Sequence, residues 1–180
     1  MYRFKKISCR SLKLKIPLKF IFSYMFPYLQ FLLKSTNQHG VHSPFVYDYI
    51  TRGLYRSSNL NVKPKSLLWQ IKSINYFNKD TYFLNNTPNI SEIKSTILES
   101  SLHAKIISAT YNHQQQSSIK QCIENLNATQ ILLLTLPLYP KKFLEELRAD
   151  DSITLVIDCY FGCLISKRTE QMKQNFYIRF

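Results

Sequence analysis

Gln130–Leu136 reads QILLLTL, and this run decides the fold. Ile131, Leu132, Leu133 and Leu134 follow one another with no polar residue between them. A strand with one wet face alternates apolar and polar residues. A strand covered on both faces is free to be apolar throughout. The run therefore predicts a central strand with helices on both sides of its sheet.

The segments on either side agree. Upstream, Ile119, Cys122, Ile123 and Leu126 keep helical spacing. Downstream, Pro140 opens a short helix with Phe143, Leu144 and Leu147 on one face. Further upstream, Thr81–Leu84 and Lys105–Ala109 read as strands. Between them, Asn89 and Glu92 form a capping-box pattern ahead of a helix facing inward through Ile90, Ile93, Ile97 and Leu98. After Ser152 come three strand patterns, Ser152–Asp158, Phe161–Ser166 and Asn175–Phe180, with no long helix between them. Strands alternating with helices imply an α/β fold with a mainly parallel, Rossmann-like sheet. The last two strands are expected to form an antiparallel hairpin at its edge.

Past a basic, poorly ordered arm over 1–15, the N-terminal third is expected to be helical. Leu18–Lys34 predicts a helix with Pro27 inside it. Lys19, Ser23, Gln30 and Lys34 share a narrow arc, and the rest of the circumference is apolar and aromatic. Such a helix packs deeply, lies in a membrane interface or covers a partner, and packing is the expectation. The apolar stretch Phe20–Leu33 is short for a membrane span and precedes no small-residue cleavage site. Ser43 and Pro44 read as N-cap and first helical position of a helix that Gly53 ends. A linker then leads to a helix over 66–77 facing inward through Leu67, Leu68, Ile71, Ile74 and Phe77, with Trp69 as core. Two units follow from this: residues 1–65, a basic arm and helices, and residues 66–180, a reduced α/β domain.

Charge and glycine narrow the chemistry. Of 24 Lys and Arg, eight fall in residues 1–47, which hold no Asp or Glu. A basic segment of this kind can meet nucleic acid or anionic lipid. The three glycines are Gly40, Gly53 and Gly162, so nothing between the last two can form a glycine-rich phosphate loop. That excludes the P-loop and the ordinary dinucleotide fingerprint. Cysteines 9, 122, 159 and 163 include no C-x2-C pair, and buried free thiols in a cytoplasmic protein account for them. Cys159 and Cys163 are expected on one face of a strand. No catalytic or metal-binding set emerges. His39, His42 and Ser43 form a candidate polar motif, whose histidines are expected to hold the 35–43 loop onto the core. Asp158 stands at a strand end and reads as a turn residue. His103 and His113 have no acid and nucleophile beside them.

Two segments carry a resemblance: FLLKSTNQHGVHSPFVYDYITRGLY (31–55) and SITLVIDCYFGCLISKRTEQMKQNFYIRF (152–180). They resemble the N-terminal signature and the C-terminal strand hairpin of a group of Bacteroidetes class I S-adenosylmethionine-dependent methyltransferases. HGVHSPF is specific to that group. The resemblance implies a methyltransferase-type sheet, with S-adenosylmethionine as cofactor wherever the activity is retained.

The middle of the chain departs from the family. Its glycine loop after the first strand corresponds to TYFLNNTPNIS (81–91), which has no glycine and no acid, and Pro88 removes an amide donor. The acid that binds the ribose hydroxyls has no counterpart in AKIISATYN (104–112), nor the family's later Asp in ILLLTLPLYP (131–140). The expectation is a shortened, degenerate methyltransferase-like protein with no catalytic residues and no bound cofactor. Cofactor-binding residues cannot be assigned. An active methyltransferase with a non-standard pocket is the first alternative. The second is a membrane-surface or nucleic-acid-binding module acting through residues 1–34. A homodimer or protein partner would cover sheet edges exposed by the shortening.

Overall fold

The computed structural model describes residues 18–57, 62–77, 81–84, 106–169 and 172–180. The basic arm, the capping-box helix with its loop, Cys9 and His103 lie outside the described residues. Helices α1 (Leu18–Lys34) and α2 (Pro44–Asp48) come first, and α2 widens into a π-helix over Tyr49–Leu54. Then come α3 (Lys65–Phe77), β1 (Thr81–Leu84) and β2 (Ile106–Thr110). Next are α4 (Gln116–Glu124), β3 (Ile131–Thr135) and α5 (Lys141–Ala149). The chain ends with β4 (Leu155–Asp158), β5 (Gly162–Ser166) and β6 (Gln174–Tyr177).

The chain is an α/β protein with a mixed sheet of order β1-β2-β3-β5-β4-β6. β5 alone opposes the other described strands. This corrects the expected edge hairpin. The hairpin is β4–β5, and β5 inserts between β3 and β4, pairing Leu132 with Ile165 and Ile157 with Leu164. β6 does not pair with β5; it runs parallel to β4 at the sheet edge. The reason is burial: β5 (GCLIS) is buried throughout and needs a neighbour on each side, whereas β6 (QNFY) is half-exposed and tolerates an edge.

β3 is buried at every position, as its apolar run requires. One sheet face, with Ile107, Leu132, Leu134, Val156 and Ile165, packs on α4 and α5. Their contacts are Ile119, Cys122 and Ile123, then Phe143, Leu144 and Leu147. The opposite face, with Ile106, Leu133, Leu155, Ile157 and Leu164, packs on Val46, Tyr49, Ile50, Leu54 and Trp69. α4 and α5 share a face because the chain steps β2 to β3 to β4 in one direction along the sheet, and such crossovers keep one hand.

α3 differs from its expected face. Its buried residues are Ser66, Trp69, Ser73 and Phe77, while Leu67 is exposed. Two serines on a buried face look wrong by hydrophobicity alone. Ser73 Oγ donates to the Trp69 carbonyl at 2.7 Å and accepts from the Tyr49 hydroxyl at 2.7 Å, so its burial is compensated. Gln70 Nε2 donates to Ser108 Oγ at 2.6 Å and ties α3 to β2. Gly53 does not end its helix, which runs on to Leu54; a Cβ there would meet the Tyr76 ring at 2.9 Å. Ser43 does occupy the N-cap position with Pro44 at N1, but its side chain makes no cap bond.

Trp69 is fully buried against the backbone of Gly162, the first residue of β5. A Cβ at Gly162 would lie 2.1 Å from the indole Cε3. Gly162→Ala must therefore displace the largest side chain of this core. It should cost about 1–3 kcal/mol of stability, the usual overpacking range. Urea unfolding followed by the fluorescence of Trp69, the chain's one tryptophan, reads this directly. An unchanged midpoint would contradict the packing described.

Candidate functional site

In open α/β sheets, ligands gather outside the carboxyl ends of the strands, at the point where strand order reverses. The carboxyl ends here are Leu84, Thr110, Thr135, Asp158 and Tyr177. Asp158 is the one acid among these residues. Strand order does not reverse among the described strands: β1, β2, β3 and β4 progress one way, with β5 inserted and β6 beyond.

Asp158 is completely buried. Its Oδ1 accepts the Tyr160 amide at 2.8 Å. Its Oδ2 accepts the Tyr139 hydroxyl at 2.6 Å and an Arg148 Nη2 donor. Tyr139 comes from the loop after β3, Arg148 from α5 and Tyr160 from the β4–β5 turn, so three elements converge on one carboxylate. Burial pushes the Asp158 carboxyl up from its ordinary range, and the Tyr139 hydroxyl, the Arg148 guanidinium and the Tyr160 amide pull against that shift. Burial and the adjoining Asp158 carboxylate push the Tyr139 hydroxyl up, with Arg148 opposing. The expected turn role of Asp158 holds through Oδ1. The sequence reading missed Arg148 and Tyr139, ten and nineteen residues away in the chain.

Aromatic rings close over this node. Tyr139 stacks on Tyr160 at 4.7 Å, and Arg148 lies over Tyr177 at 4.5 Å. Tyr28 and Phe31 of α1 meet Tyr160 at 4.9 and 5.4 Å. Tyr160 has a φ of 66°, in the left-handed region that costs a side-chain residue about 1 kcal/mol or more. The bond from its amide to Asp158 and the ring contacts hold it there. Beside it, a groove of about 200 Å³ is lined by Tyr28, Tyr55, Tyr160, Phe161 and Phe180.

The chain just before HGVHSPF lies against the C-terminal strand. Thr36 N donates to the Tyr177 carbonyl at 2.8 Å, and Arg179 N returns a bond to Thr36 at 3.1 Å. Arg179 Nη2 donates to the Ser35 carbonyl, and the Tyr55 hydroxyl donates to the Arg179 carbonyl at 2.6 Å. Segments 31–55 and 152–180 are thus joined in space. His39 and His42 are both exposed, which corrects the expectation that they hold the loop. Buried Val41 and Ser43 hold it, with Asn37 Oδ1 accepting the His39 amide at 3.1 Å. Polar histidines flanking one valine hid which residue anchors the turn.

The remaining reactive groups are quiet. Cys159 and Cys163 face opposite cores, because a turn separates them. Burial pushes both thiols up, and pushes Cys122 up to about 11. A neutral buried thiol is a poor nucleophile. Among the described residues, no three His, Cys, Asp or Glu side chains assemble as a metal site would need. A basic recess of about 230 Å³ holds Arg52, Arg56 and Lys72. Lys72 is bonded there to the carbonyls of Leu54 and Arg56, and Arg52 is paired with Asp48.

Asp158→Asn leaves Arg148 buried without its counter-charge and should cost about 3–5 kcal/mol. Adding Arg148→Met should restore part of that loss, giving a coupled cycle in urea unfolding. If Asp158→Asn unfolds like the parent chain, the node does not support the fold. A pH effect follows from the tyrosines. Tyr49, Tyr139 and Tyr76 are all raised by burial, Tyr76 to about 12. Unfolded tyrosine loses its proton near pH ~10, so above that the folded chain holds more protons. Stability should be level below pH ~10 on this account and fall as pH rises beyond it. Absorbance at the tyrosinate band, followed with unfolding, should show these three titrating only as the fold is lost.

Comparison of the chain with protein-family models, with curated proteins and with solved structures finds no match in any of the three.

Proposed function

We propose that this chain is a degenerate class I S-adenosylmethionine-dependent methyltransferase-like protein that no longer catalyses methyl transfer. Its ancestry is read from segments 31–55 and 152–180. The direct bonding between those segments supports the idea that they persist as one structural unit. A sheet of parallel strands with one opposed C-terminal hairpin strand fits the methyltransferase-type reading.

One observation carries the loss of activity. Asp158, the acid at the described strand ends, is committed to Tyr139, Arg148 and Tyr160 and sealed under aromatic rings. A cofactor with a ribose diol and a positive charge needs an open carboxylate and a close backbone approach. Residues 81–91 offer no glycine for the second. The unreversed strand order supports the same reading, since a crevice forms where order reverses. A cytoplasmic location fits the unpaired buried thiols Cys122, Cys159 and Cys163.

Calorimetric titration with S-adenosylmethionine and S-adenosylhomocysteine tests the proposal. The folded chain should show no binding up to millimolar ligand. Micromolar affinity would overturn the non-catalytic reading and favour an active enzyme with a non-standard pocket.

A further inference from the structure

Helix α1 has two apolar sides, and the fold uses one. Tyr28 and Phe31 face inward onto Tyr160. Met25, Phe26, Leu29 and Leu33 face solvent, at 54%, 59%, 50% and 88% exposure. At ~100° per residue these four fall within an arc of about 100°. The same helical register passes through positions 18 and 22, which are Leu and Phe.

We propose that this outer face of α1 seats in the interfacial layer of an anionic lipid membrane. The stripe is one helix wide and offers no groove or strand edge, so it presents mainly apolar side chains. That shape suits lipid better than a peptide, which needs a groove or a free edge. Charge selects among the remaining occupants. Residues 1–47 carry eight Lys or Arg and no acid, so a second copy laid against α1 would bring two such segments together with no carboxylate between them. A nucleic acid would satisfy the charge and leave the stripe in water. An anionic bilayer satisfies both at once: headgroups meet the lysines and the acyl boundary takes the leucines. Among the described residues no helix is long and apolar enough to cross a membrane, so α1 lies in the plane of the surface. This inference is independent of the methyltransferase-like reading, because it uses no part of the strand-end site.

The test is flotation of the full chain with vesicles of phosphatidylcholine alone, or of phosphatidylcholine mixed with phosphatidylglycerol. The chain should float with the mixed vesicles and be released as salt rises. Leu29→Ser combined with Leu33→Ser should weaken binding at least about tenfold, as expected for two inserted leucines, with no change in thermal unfolding. Phe26→Ser, on the same arc, should weaken it independently. Failure to float with mixed vesicles overturns the proposal, and so does binding that none of these substitutions weakens. A dimer in sedimentation that the Leu29/Leu33 variant dissociates would also overturn it, by giving the face to a second copy.

Discussion

The ion pair between Asp158 and Arg148 sets terms that much of the molecule obeys. Neither side chain has more than marginal contact with water, and an isolated charge in that position would be untenable. The carboxylate therefore accepts from three sources: a hydroxyl from the loop after β3, a guanidinium from α5, and an amide from its own turn. Holding that amide requires Tyr160 to adopt a left-handed backbone. That backbone in turn places a ring where α1 can rest on it. The position of α1 is thus a consequence of how one buried acid is satisfied.

The same arrangement connects structure to function. At the carboxyl end of β4, where an α/β sheet can keep an opening for a ligand, this chain places its own tyrosines and a buried ion pair. Because α1 is spent as the cover, its apolar outer side has no role inside the fold. A helix that is apolar nearly all round normally sits in a deep core. Here one side meets the node and the other meets solvent. The covered end of β4 and the exposed apolar face of α1 are two results of the same packing.

On the other sheet face, polar atoms again decide the packing. The chain Tyr49 to Ser73 to the Trp69 carbonyl lets Ser73 of α3 sit inside while Leu67 stays in water. The indole N–H of Trp69 makes no well-formed hydrogen bond of its own; the Tyr49 hydroxyl and Cys159 thiol are its polar neighbours. Trp69 is held by shape, against a glycine that leaves room for its ring. A hydrophobic pattern alone could not have chosen that face, because the burial of Ser73 draws on Tyr49, distant in the chain, as well as on a carbonyl of its own helix.

Local periodicity is enough to locate elements. The unbroken run in β3, the 3.6-residue spacing in α4 and α5, and the proline at the start of α2 placed those elements close to where they are found. It also fixed the α/β class, since a doubly buried strand demands helices on both faces. Absences could be read in the same way, because a chain without glycine over 54–161 cannot build a glycine loop there. Tertiary structure alone decided that β5 inserts beside β3, that Asp158 pairs with Arg148, and that His39 and His42 point to water. The physical reason is common to all three. Spacing along a chain reports which side of an element is apolar, but the partner of a charge, a strand edge or a buried hydroxyl is chosen by residues distant in sequence.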